Sequence, residues 1–108
     1  MIKKKSYPAT IRYKRRLYEL TLTPVLLEGD KEDAQARGFC QKTDGVKRIV
    51  LLKSLKPKVL FETLLHECLH LIENEEGFSI PHHIIEKLEA PLARLLLDNF
   101  DIQFKRRK

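Results

Sequence analysis

His66 and His70 stand four residues apart with Glu67 beside the first, in the run Phe61-Glu-Thr-Leu-Leu-His-Glu-Cys-Leu-His-Leu-Ile. On a helix of 3.6 residues per turn that spacing leaves the two imidazoles only about 40° apart, so both can reach one cation. Glu67 is turned from His66 by about 100°, close enough to touch a water on that cation without displacing it. Zinc suits such a site. It accepts imidazole nitrogen and lowers the pKa of its water to about 7, so that a carboxylate can take the proton as the water attacks a carbonyl. The pattern predicts one Zn2+ per chain, ligated in part by His66 and His70, with Glu67 as the general base of a peptide-bond hydrolase.

A motif this short also arises by chance, as two exposed histidines beside a surface glutamate. Against that, Leu64, Leu65, Cys68, Leu71 and Ile72 fall on the helix face opposite His66 and His70, so the histidines are not part of the apolar stripe. A catalytic zinc takes three protein ligands and keeps its fourth position for water. The third ligand must come from elsewhere in the chain. Positions 73 and 76, where a metzincin carries Gly and His, are Glu73 and Glu76, which disfavours that class. Further on, His82, Glu86 and Glu89 follow one another at i, i+4 and i+7 and share one face of a second helical pattern. Any of the three has the chemistry to complete the site.

With these residues in view, the chain resembles the gluzincins, especially the very small minigluzincin-like, SprT-like and ImmA/IrrE-like peptidases of bacteria and phages. Phe61 to Ile72 looks like their active-site helix, and Ile85-Glu-Lys-Leu-Glu-Ala-Pro-Leu-Ala-Arg-Leu-Leu looks like their glutamate helix. The matching stretch covers residues 58 to 100. The resemblance implies that Glu86 is the third zinc ligand, with Glu89, His82 and His83 remaining as alternatives. It also implies a sheet of three or four strands over the active-site helix, whose edge strand holds an extended protein or peptide substrate by strand addition. Arg37-Gly-Phe-Cys-Gln is the candidate edge, where Gly38 suits either a close backbone approach or a bulge. The implied role is that of a regulatory or phage-encoded protease.

The elements that must position these residues follow from the same sequence. Residues 10 to 23 are rich in β-branched and aromatic types and read as a strand or a hairpin turning near Lys14 to Arg16, closed by Pro24. The polar stretch from Glu28 to Asp33 reads as a surface loop. A strand over residues 37 to 42, the Asp44-Gly45 pair and a returning strand over residues 47 to 53 make a second hairpin. Pro57 opens a helix that runs to about Glu75 and ends at Gly77. A second helix runs from Pro81 to about Asn99, with a kink expected before Pro91. The expected fold is α+β: a small antiparallel sheet, the helix bearing His66 and His70, then a C-terminal glutamate helix, in one minimal zincin-like domain over residues 1 to 108.

Composition bounds the function. Hydrophobic residues at 43% and charged residues at 33% suit a globular chain. No apolar run approaches the roughly 20 residues that cross a bilayer, and the basic start has no apolar run behind it, so no membrane role and a cytoplasmic address are expected. Cys40 and Cys68 are then expected to be reduced. The net charge of +6 is concentrated in basic tails, at about residues 1 to 6 and 103 to 108. Such tails are either solvated or an electrostatic footprint for nucleic acid. This supports a second reading, a non-enzymatic zinc-stabilised domain that binds nucleic acid or a protein through its basic ends. For an oxyanion-steadying group, His82, His83, Tyr7, Tyr13 and Tyr18 are candidates. Glu73, Glu75 and Glu76 read as a solvated helix end, with Glu73 one turn beyond His70 and able to orient it.

Overall fold

A computed structural model describes Pro8 and residues 10–24, 27–28, 31–32, 37–43 and 46–102. Both basic tails, Tyr7 and the Asp44-Gly45 turn lie outside the described residues. The strands are β1 (Thr10–Tyr13), β2 (Arg16–Thr23), β3 (Leu27–Glu28), β4 (Lys31–Glu32), β5 (Gly38–Thr43) and β6 (Val46–Leu52), followed by helices α1 (Pro57–Glu76) and α2 (His82–Asn99). The fold is α+β, as expected. β3 and β4 form a short antiparallel pair where a plain loop was expected.

The four-stranded sheet has the order β1-β2-β6-β5 and is mixed, which corrects the expectation of a small antiparallel sheet. Each hairpin is antiparallel within itself: Tyr13 pairs with Arg16 across the first turn, and Thr43 with Val46 across the second. The two hairpins meet, however, through their second strands, so β2 and β6 run parallel from Glu19↔Arg48 to Thr23↔Leu52. The physical reason lies in β6. Ile49, Val50 and Leu51 are all buried, so this strand loses water on both faces and takes a central position between β5 and β2. Hairpin signals report only which strands are joined by a turn.

The same ordering makes β5 an edge. Gly38 pairs in regular register with Leu51, without a bulge, and an added Cβ there would meet the Val50 carbonyl oxygen at 2.6 Å and the Thr63 methyl of α1 at 3.2 Å. Glycine is therefore required by close approach of the helix to the sheet edge.

Helix α1 packs its apolar side, Leu60, Phe61, Leu64 and Leu71, on Tyr18 and Leu20 of β2 and on Ile49 and Leu51 of β6; Ala93 of α2 joins the same core. Burial of each large aliphatic side chain contributes about 1.5–3 kcal/mol. Pro57 occupies the first turn of α1, where a missing N–H costs nothing, and Gly77 ends the helix in the left-handed conformation (φ 75°) with its N–H donating to the Glu73 carbonyl. α2 continues unbroken through Pro91. Pro91 and Lys87, whose carbonyl loses its partner, both lie on the exposed side, where water can take the place of the missing N–H.

The C-terminal end of α1 is tied to the first hairpin and not merely solvated. Tyr13 donates to Glu76 (2.6 Å) and Tyr18 to Glu75 (2.7 Å), while Lys14, at the hairpin turn with a left-handed φ of 56°, pairs with Glu76 at 2.7 Å. Only 6% of the Glu75 side chain is exposed. The two tyrosines are thus committed to holding hairpin and helix together, away from any oxyanion role. No helix among the described residues is long and apolar enough to cross a membrane.

Candidate metal centre

The turn spacing of α1 brings His66 and His70 side by side, with their Nε2 atoms 3.2 Å apart. The segment after Gly77 returns the chain so that His82, the first residue of α2, meets them from the other side. Its Nε2 lies 3.2 Å from that of His66. The ligand atoms of His66, His70 and His82 all fall within 4.8 Å of one another, a group that could hold a metal ion. For a tetrahedral ion with metal–nitrogen bonds of about 2.0–2.1 Å, neighbouring ligand nitrogens stand roughly 3.3 Å apart. Two of the three nitrogen pairs have close to that spacing.

The outward nitrogens are engaged in a way that favours the same outcome. His66 Nδ1 is 2.6 Å from Glu89 Oε2, and His70 Nδ1 is 2.7 Å from Glu73 Oε1. A carboxylate accepts only, so each Nδ1 is the donor and each Nε2 of a neutral ring presents its lone pair. Lone pairs converging at 3.2 Å repel unless a cation or proton lies between them. A carboxylate behind each imidazole is also how ligating histidines are oriented and made more basic. The third ring has a looser equivalent: His82 Nδ1 stands 3.7 Å from Glu86. The donor set therefore fits a borderline metal such as zinc.

Glu86, to which the resemblance carried the third ligand, lies outside this histidine group. Its side chain is 60% exposed at the mouth of the cleft. Glu89 is inside the cleft but turned to His66, and His83 is exposed outside the histidine group. His82 was legible as one member of the i, i+4, i+7 face and as an alternative third ligand. Pro81 starts α2 at the following residue, and the first side chain of the helix meets His66 of α1.

Glu67 is 4% exposed, between α1 and the β5 edge, and lines the cleft together with Gly38, His66 and His82. Burial pushes its carboxyl up to about 8, and the Glu89 carboxylate acts in the same direction. A cation held by the three imidazoles would oppose both effects. Glu73 moves the other way: the Ile80 N–H, and then His70, hold its carboxyl below the usual range. Cys40 and Cys68 are free thiols, each pushed up to about 12, chiefly by burial. The described residues thus form a small mixed sheet and two helices presenting three histidines, two of them hydrogen-bonded to a carboxylate, beside a buried glutamate. Compared with protein-family models, with curated proteins and with solved structures, the chain finds no match.

Proposed function

We propose that the protein is a zinc-dependent endopeptidase in which His66, His70 and His82 hold the metal and Glu67 is the general base. The observation that carries this reading is the convergence of three Nε2 atoms beside the buried Glu67 carboxyl, at the edge of β5. The cofactor, when bound, supplies a Lewis acid that polarises the scissile carbonyl and makes water a nucleophile near neutral pH. Glu67 takes a proton from the attacking water as the carbon–oxygen bond forms, then delivers it to the leaving nitrogen as the carbon–nitrogen bond breaks. Glu89 and Glu73 hold the His66 and His70 rings with their Nε2 atoms forward.

The edge of β5 favours an extended peptide as substrate, because among the described residues its backbone N–H and C=O groups have no strand beyond them and can pair with an added one. Arg37 and Glu86 flank the same cleft and offer opposite charges to substrate side chains. A regulatory or phage-encoded role and a narrow substrate range remain part of the proposal. A non-enzymatic zinc domain would instead close its coordination with a fourth protein ligand; among the described residues the group has three. Metal analysis of the purified chain, with cleavage of casein followed in the same sample, tests the reading. One zinc per chain with activity that a chelator removes supports it, and a chain that takes up no zinc overturns it.

A further inference from the structure

One carboxylate connects the two halves of the candidate centre. Glu73 Oε1 accepts from His70 Nδ1 at 2.7 Å, while Glu73 Oε2 accepts from the backbone N–H of Ile80. Ile80 belongs to the short connection between α1 and α2, two residues before His82. His66 and His70 need only the regularity of α1 to stand together, but His82 is placed by the path of this connection. Gly77 starts that path by leaving the helix in the left-handed region, with its N–H on the Glu73 carbonyl. The backbone of Glu73 thus fixes where the chain turns, and its side chain fixes where it goes next.

We infer that Glu73 is the positioning residue of the centre: it sets the His70 tautomer and, through Ile80, delivers His82 to the other two histidines. The inference rests on the metal reading above. Both oxygens are needed. Each accepts from a different donor, and the side chain is 12% exposed, so water has little access to replace either bond. A glutamine there has one carbonyl oxygen, and its NH2 group cannot accept from either N–H. Glu73→Gln therefore keeps one bond at most, and Glu73→Ala keeps neither. Neither Glu75 nor Glu76 can substitute, since both point to the β1–β2 hairpin through Tyr18 and Tyr13.

The test uses the full chain and zinc itself. Zinc affinity is measured by competition with a chromophoric chelator for wild type, Glu73→Gln, Glu73→Ala, His82→Ala and the Glu73→Gln/His82→Ala pair, with Glu76→Ala as a neighbouring control. Nitrogen shifts of the His70 ring and exchange of the Ile80 amide are recorded without metal. Loss of an outer partner typically weakens metal binding 10–100-fold. We expect a loss in that range for Glu73→Gln, none for Glu76→Ala, and a much smaller effect of Glu73→Gln once His82 is gone, because delivery of that ligand no longer matters. The metal-free wild type should show His70 protonated at Nδ1, and Glu73→Ala should lose that preference while its Ile80 amide exchanges faster. Unchanged affinity, tautomer and exchange in the folded Glu73→Gln and Glu73→Ala proteins would overturn the inference, as would losses that simply add to that of His82→Ala. A wild type that binds no zinc overturns the metal reading alone. The tautomer and exchange measurements then decide the role of Glu73 by themselves.

Discussion

His82 Nε2 lies 3.2 Å from His66 Nε2, across a gap of sixteen residues and from one helix to another. Without His82 the motif of α1 supplies two ligands, too few to hold a catalytic zinc. The first prediction follows directly. His82→Ala should lose more zinc affinity than the roughly 10–100-fold typical of removing an outer partner, whereas Glu86→Ala should retain one zinc per chain. Metal analysis after dialysis checks both. Zinc retained by His82→Ala and lost by Glu86→Ala would return the third position to the glutamate.

In the proposed mechanism Glu67 differs from the three histidines by its role, not by its distance along the chain. Glu67→Gln preserves volume and should keep zinc, while peptide cleavage falls by about 100-fold to 10,000-fold, the usual size of a general-base contribution. Parallel metal and activity measurements on the same preparation separate loss of base from loss of metal.

Gly38 links the sheet edge to the active helix. Gly38→Ala places a methyl against the Val50 carbonyl oxygen and the Thr63 side chain, neither of which can withdraw without moving β6 or α1. A loss of about 1–3 kcal/mol is expected, as for other overpacked sites, read from the urea midpoint. If stability is unchanged, helix and strand are further apart than described.

Cys40 supplies a pH prediction. Burial is the largest cause of its raised pKa, with the Glu67 carboxylate next, so the folded thiol ionises only near about 12 while an unfolded one does so near about 8.5. Below the lower value both states hold the proton and stability is unaffected. As pH rises between the two, the unfolded chain releases its proton first and stability falls. In a Cys68→Ser background, iodoacetamide should therefore react with native Cys40 far more slowly at pH 8 than with the urea-unfolded chain. The urea midpoint should also drop from pH 8 to pH 10 by more in that background than in the Cys40→Ser/Cys68→Ser protein.

Much of the architecture was legible in local pattern. Pro57 and Gly77 bound α1 because proline tolerates a first helical turn and glycine a left-handed ending. Lys14 and Arg15 turn the first hairpin without any glycine, so residues 10 to 23 could be read as one strand or as a hairpin turning near Lys14 to Arg16, and only the pairing of Thr10 to Tyr13 with Arg16 to Glu19 decides for the hairpin.

What the sequence determined by itself is the pairing of His66 with His70 and the adjacency of Glu67, because a helix converts a spacing of four into neighbouring positions without help from the rest of the chain. The tertiary structure decided everything that depends on two elements meeting. It put β2 parallel to β6, since the two hairpins, each antiparallel within itself, meet through their second strands and so leave the doubly buried β6 inside the sheet. It also gathered His82, and neither Glu86 nor Glu89 of the same helix face, into one group with His66 and His70, through the path from Gly77 to Pro81, and it turned Glu73 from a helix-end charge into a bridge between His70 and Ile80. Helical periodicity fixes angles about one axis. Only packing and the length of the connection set where a second axis begins.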